Sequence, residues 1–293
     1  MINSPFGVGL ALAISRLTPP AVGYRIGSFL AGRIATRRYL PMVAAVRSNQ
    51  QVVHQGRLSV AQLDEITLAT FRHTSRCLYD LYHNLSNPKA AQKFMRYTPE
   101  AEKLFAPIPP HQKGRILVGI HMSNFDYIIH AAGMRGLQIV ILGAAQPGKG
   151  YQIQNDLRRK AGVELIPAST TALRQALRHL QAGGTIATGI DRPVPAPKIR
   201  PRFFGRPAAL PTHHIYLALK ACVPIVVVSA RMCPDGIYEM VASEPFEMQR
   251  CAERYDEIKV NAEKVLEIAE PFILQAPYQW SMFYPVWPEE QLA

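Results

Sequence analysis

The sequence predicts an α/β fold, a mostly parallel central sheet covered by helices on both faces, with a helical N-terminal subdomain ahead of it. Three observations lead there. From Arg115 onward, short apolar β-branched runs alternate with stretches of helical length, the order that builds a parallel sheet with crossover helices. Ahead of that point the apolar spacing is helical. No repeat or linker divides the chain, and 293 residues at 48% hydrophobic content are enough for one sizeable core. The chain reads as a single folded unit, with residues 1–110 as the helical subdomain and 111–293 as the α/β core.

Phe6–Ile14 is apolar and uncharged, and Tyr24–Ala35 mixes apolar residues with arginines before Arg37-Arg38. The first run is far shorter than the ~20 residues that cross a bilayer. No basic residue precedes it, which makes it a poor signal peptide. Ser59 caps a long helix, with Leu63, Ile66, Cys77 and Leu81 near helical spacing, that ends at Asn87-Pro88. His54, His73 and His83 show no partner pattern and read as packing or surface residues.

In the core, strands are expected at Arg115–Ile120, Leu137–Leu142, Val163–Pro167, Thr185–Ile190 and Pro224–Ala230, the last with Ile237–Val241 as its hairpin partner. Helices are expected at Phe125–Arg135, at Gln152–Ala161, from a cap at Thr170 or Thr171 to Ala182, from a cap at Thr212 to Cys222, and from Ala252 to about Glu270. Gly183-Gly184 stops the helix that reaches Ala182. A proline-rich basic loop, Asp191–Pro211, carries Arg192, Lys198, Arg200, Arg202 and Arg206.

Lysines and arginines number 33 against 21 acids, a net charge of +12. The excess is uneven: seven arginines and no acid precede Asp64, whereas acids predominate after Ser243. Such a body attracts anions, whether lipid surfaces or phosphorylated molecules. Nucleic acid is set aside, because the chain has neither the basic-aromatic motif of an RNA module nor a C-x-x-C finger. Apolar residues interleaved with acid-free arginines point to an interfacial helix pair lying on an anionic membrane surface. The alternative is that these helices only cover the core, with arginines on a solvated face. Cys77, Cys222, Cys233 and Cys251 lack metal spacing and read as reduced thiols of a cytoplasmic protein. No metal site is expected.

The stretch with the strongest chemical signal is His121-Met122-Ser123-Asn124-Phe125-Asp126, directly after the apolar run Ile116–Ile120. Residues five apart on one helix point about 140° apart and do not meet. At a strand-to-helix turn they can. With Ser123 or Asn124 as N-cap, Asp126 falls in the first helical turn and can bend back to accept a hydrogen bond from one imidazole nitrogen. The other nitrogen is then a base aimed at the carboxyl edge of the sheet, where ligands sit in open α/β folds. Ser123-x-x-Asp126 also fits a capping box, in which Asp126 only stabilises the helix start.

Further blocks stand in register with this motif. They are Arg47-x-Asn49, Arg158-Arg159-Lys160-Ala161-Gly162, Gly189-Ile190-Asp191-Arg192, Phe203-Phe204-Gly205-Arg206-Pro207-Ala208, and Pro277-Tyr278-Gln279-Trp280-Ser281-Met282 with Tyr284-Pro285-Val286-Trp287. Together with His-x-x-x-x-Asp they resemble the glycerolipid and lysophospholipid acyltransferase superfamily. The surrounding chain looks like its bacterial branch of lipid A lauroyl/myristoyl acyltransferases and phosphatidylinositol mannoside acyltransferases. Asp126, where the lipid A enzymes often have Glu, and the Trp280-Ser-Met block look more like the mannoside branch. His213-His214 departs from the small residues that usually open that helix; the pair either alters the acceptor pocket or faces water. A metal role does not fit the geometry, since adjacent helical histidines diverge.

The resemblance implies direct transfer of an acyl group from a thioester to a hydroxyl of a membrane lipid or glycolipid, at the cytoplasmic face of the membrane and without a cofactor. The donor would be acyl-CoA or an acyl-carrier protein. Imidazole titrates near pH ~6.5, so a neutral histidine is available at neutral pH. His121 would be the general base, and Asp126 would hold its tautomer. Ser123 as a nucleophile fits poorly, for want of a G-x-S-x-G elbow. The resemblance sets Asn124, Arg158, Arg159, Asp191 and Arg192 around the substrates. The arginines would hold phosphate or oxyanion, and Asp191 would bind acceptor or help order the base; otherwise these residues are surface ion pairs. Phe203, Phe204 and Gly205 would wall a substrate channel or else pack in the core. The basic loop suits the phosphates of coenzyme A or an acidic carrier protein. Two other functions use the same residues differently, an acyl-thioester hydrolase or a lipid-binding protein without turnover.

Overall fold

A computed structural model describes residues 5–84, 88–143, 149–160, 162–167 and 169–288. The first part is helical: α1 Pro5–Leu17, α2 Pro20–Ala35, α3 Pro41–Val53, α4 Val60–Asn84 and α5 Pro88–Lys93. Prolines open α2 and α3, where the missing N–H has no intrahelical partner to lose. Ser59 caps α4 reciprocally with Gln62: the Gln62 amide donates to Ser59 Oγ and the Ser59 amide to Gln62 Oε1. The sequence reading did not distinguish α3, whose polar face is consumed by a distant partner. Asn49 donates to the carbonyls of Met282 and Tyr284 and accepts from the Val286 amide.

The remaining elements are β1 Met95–Tyr97, α6 Pro99–Glu102, β2 Arg115–Gly119, α7 Phe125–Met134, β3 Val140–Gly143, α8 Lys149–Lys160, β4 Glu164–Pro167, α9 Thr170–Gln181, β5 Thr185–Gly189, β6 Arg202–Phe203, β7 Arg206–Pro207, α10 His213–Ala221, β8 Ile225–Met232, β9 Tyr238–Ala242 and α11 Arg254–Leu274. Seven strands form one sheet in the order β1-β9-β8-β2-β5-β3-β4, in which β8–β9 is the single antiparallel pairing. The short strand β1 lies inside the stretch expected to be helical. It is too brief to show a period, and it joins the sheet through β9. Ala161, expected as the last residue of α8, lies outside the described residues. The cap of α9 is Ser169, which accepts from the Ala172 amide at 3.0 Å, rather than Thr170 or Thr171.

Alternation along the strands divides the core. Ile116, Val118 and Ile186 pack with residues of α9, α10 and α11, while Leu117, Ile141 and Val226 pack with Ile128 and Ala132 of α7. The sheet is thus buried on both faces, which is why its strands read as continuous apolar runs. β2 lies at its centre between β5 and β8. The residues just past the ends of β2 and β5 therefore emerge side by side on the carboxyl edge.

Candidate active site

His121 and Asp191 are those residues. His121 follows Ile120 at the end of β2, and Asp191 follows Ile190 at the end of β5. The imidazole Nδ1 lies 2.6 Å from Asp191 Oδ1, and the His121 amide donates to Oδ2 at 2.8 Å. A third donor, the Trp280 indole Nε1, reaches Oδ2 at 2.8 Å. Gly189 leaves room for the ring, since a Cβ there would stand 3.3 Å from His121 Cε1. Asp191 is fully buried. Burial acts to raise its pKa, but the attraction of His121, the ring and indole N–H groups and the His121 amide outweigh it, and the carboxyl sits below the ordinary range. An ionised carboxylate only accepts, so Nδ1 carries the proton. Nε2 has no hydrogen-bond partner among the described residues, and the His121 side chain is 20% exposed.

The turn after His121 is gripped from two sides. Ser123 adopts a left-handed φ of 45°, a strained conformation for a non-glycine residue. Its amide donates to the Gln279 carbonyl at 2.7 Å, while the Ser281 amide donates to the His121 carbonyl at 2.8 Å. From α4, His73 Nε2 stands 3.0 Å from Ser123 Oγ, and the Cys77 carbonyl accepts from Asn124 Nδ2 at 2.8 Å. Ser123 and Asn124 are both buried. The serine hydroxyl is therefore engaged with His73, and the Asn124 amide is committed to the backbone of α4. Burial, with help from Arg76, lowers the His73 pKa to about 4, and burial pushes the Cys77 thiol up to about 12. His73 had read as an ordinary packing residue; its partner lies on another element, so no local spacing marks it.

The expected contact between Asp126 and the imidazole is not formed. Asp126 Oδ1 instead accepts from Arg158 Nε at 3.0 Å and from the same guanidinium's Nη2. Arg158 is itself buried and donates to Asn155 Oδ1 at 2.9 Å. The reason is geometric. Asp191 from the neighbouring strand occupies the Nδ1 side of the ring, and the guanidinium delivered by α8 meets Asp126 in the first turn of α7. The capping box also fails to form: Asn124 holds the N-cap position, without a side-chain capping bond.

The other candidates divide. Arg159 pairs with Asp156 and borders an open cleft lined also by Gly143, Asn155, Ile166 and Pro167. Arg192 stacks over the Tyr284 ring and donates to its hydroxyl at 2.6 Å. Phe204 and Gly205, both at positive φ, are the central pair of the β6–β7 hairpin, the backbone of a type I′ turn. Phe203 is fully buried and packs between Trp280 and Trp287. The geometry thus makes Phe203 a core residue behind Asp191, and Gly205 a turn former. His214 is buried rather than facing water, and His213 Nε2 stands 3.0 Å from Thr188 Oγ1. Burial lowers the pKa of both histidines.

An oriented imidazole with one open nitrogen, at the carboxyl edge of a parallel sheet, has the equipment of a general base. The model of one protein family, described as bacterial lipid A biosynthesis acyltransferase, matches residues 6–289. No curated protein matches the chain.

Proposed function

The chain belongs to the bacterial lipid A biosynthesis acyltransferase family, and from that premise we propose that it moves a fatty acyl group from an acyl thioester to a hydroxyl of a membrane lipid or glycolipid, with His121 as general base. The observation that carries the proposal is the asymmetry of the imidazole: Nδ1 is tied to Asp191, and Nε2 is open. Nε2 takes the proton of the acceptor hydroxyl as its oxygen attacks the thioester carbonyl. The tetrahedral oxyanion collapses, the C–S bond breaks, and the leaving thiolate takes the proton back from Nε2. Asp191 holds the tautomer and stabilises the transient imidazolium, the part that the sequence reading gave to Asp126. A positioned base supplies roughly 10²–10⁴-fold. The remainder falls to substrate alignment and to donors for the oxyanion. No covalent enzyme intermediate is needed, in keeping with the engaged hydroxyl of Ser123.

Asp126 neutralises Arg158 and fixes it at the start of α7. Arg192 and the basic loop offer charge to the phosphates of the donor, acyl-CoA or acyl-carrier protein. Among the described residues no helix is long and apolar enough to cross a membrane. Leu17, Phe29 and Tyr39 are, however, exposed on or beside α1 and α2, among arginines. This combination supports peripheral attachment to an anionic surface; the cytoplasmic face is the side we propose.

The test is to incubate the protein with a labelled acyl thioester and membrane lipids. Labelled lipid is the expected product. Free fatty acid alone would make the protein a hydrolase, and no turnover would leave a lipid-binding protein. His121→Ala should abolish transfer with the fold and vesicle binding intact; transfer by that variant would remove His121 as the base.

A further inference from the structure

Two indoles lie in one aromatic cluster, and their N–H groups have opposite fates. Trp280 and Trp287 are equally buried, and Phe203 packs against both. Trp287 Nε1 is buried with no acceptor among the described residues. Trp280 Nε1 donates to Asp191 Oδ2 at 2.8 Å, the oxygen that also takes the His121 amide. The flanking residues of Trp280 hold the same turn through their backbone. The Gln279 carbonyl takes the Ser123 amide, and the Ser281 amide donates to the His121 carbonyl. One tripeptide thus binds the base, the residue two positions after it, and the carboxylate behind it.

We infer that Trp280 is a positioning residue for acyl transfer: its indole N–H, aimed by the packing of its own ring, fixes the rotamer of Asp191 and through it the imidazole of His121. The inference rests on the reading of His121 as the base. The physical case is one of satisfied donors. A fully buried carboxylate is held in one orientation by the donors that converge on it, and removing one frees it to turn. His121 supplies two of the three donors and belongs to the group being oriented. Trp280 supplies the remaining one from a separate element. Its Cα is tied to the turn by the antiparallel bridge between Met122 and Trp280, so the indole and the imidazole share one frame.

The two tryptophans make a matched experiment. Trp280→Phe and Trp287→Phe each remove one indole from the same cluster, but only the first removes a donor to Asp191. Transfer from a labelled acyl thioester to membrane lipid is measured for both, with thermal midpoints and the imidazole N–H resonance of His121. Trp280→Phe should lower kcat by roughly 10- to 100-fold, the span of a hydrogen bond to a charged group expressed as a rate. KM should stay within about twofold, because the substrate does not touch the indole. The His121 resonance should shift or broaden. Trp287→Phe should keep kcat, KM and the resonance. Equal kcat losses in the two variants, or a loss that merely follows the fall in thermal midpoint, would reduce Trp280 to a packing residue and overturn the inference. Unchanged kcat in Trp280→Phe would do the same. His121→Ala run alongside separates the two levels. If it retains transfer, the assignment of the base fails; if it is inactive while the tryptophan variants match, only the inference about Trp280 fails.

Discussion

Asp191→Asn is the sharpest perturbation of the site. The carboxylate accepts three hydrogen bonds of 2.6–2.8 Å on two oxygens. An asparagine offers one acceptor oxygen, and its NH₂ then faces at least one donor that cannot bond to it. The larger effect is electrostatic. A carboxylate about 4 Å from the imidazolium charge is worth about 4 kcal/mol at an effective dielectric of ~20. If the imidazolium forms in the transition state, losing that attraction slows transfer by about 10³-fold. The folded pKa of Asp191 lies below the unfolded value. Its contribution to stability is therefore present above the ordinary Asp range and is lost as pH falls through the lowered value. Denaturation curves for the native protein and the variant should converge at that acidic end. Transfer of label at saturating thioester, followed across pH, is the assay. A variant within tenfold of the native rate would refute the assignment of Asp191 as the partner of the base.

Three further outcomes are expected. Asp126→Ala takes the carboxylate away from a buried Arg158 while leaving its bond to Asn155, and breaking such a pair costs about 3 kcal/mol. A urea midpoint should show this loss while the His121 ring resonance stays put, because Asp126 makes no contact with the ring; a ring shift matching that of Asp191→Asn would restore Asp126 as the orienting acid. Burial lowers the His73 pKa in the fold to about 4, against 6.5 for an ordinary imidazole. The unfolded chain binds the proton first, so stability present above ~6.5 is lost as pH falls toward ~4, by up to about 3 kcal/mol. His73→Gln should flatten that part of the stability curve, and an unchanged slope would count against a titrating His73. Phe29 is 68% exposed, so Phe29→Asp should leave the thermal midpoint nearly unchanged. Sedimentation with anionic vesicles at low salt should nevertheless weaken by roughly 10- to 100-fold, the worth of burying one Phe side chain; equal binding would place the membrane contact elsewhere.

Much of the fold was legible because both sheet faces are covered. Strands buried on two sides read as apolar runs, and β2, β4, β5 and β8 begin or end within about two residues of where those runs do. What escaped were elements too short or too polar to carry a period. β1 has three residues, the β6–β7 hairpin depends on two positive φ angles, and α3 buries Asn49 and Gln50 against carbonyls of residues 277–284. A buried polar residue leaves no apolar stripe, so spacing alone cannot find it.

The site shows the same limit at higher resolution. His121 was legible because an apolar run ends on it, and Asp191 because it follows a second such run. Their pairing was not, since it depends on β2 and β5 being neighbours, and chain order places β3 and β4 between them. Local spacing favoured the acid five residues away over the acid seventy residues away. The sheet reverses that preference. Parallel neighbours in register, Gly119 opposite Gly189, bring the next residues out together, and the Ile190 amide donates to the Gly119 carbonyl to hold them there. Asp126, released from the ring, is free to meet Arg158. A histidine read at a strand end should accordingly be matched first with acids at the ends of other strands of the sheet, and only then with acids along its own turn. On this chain that rule selects Asp191 from the strand predictions alone.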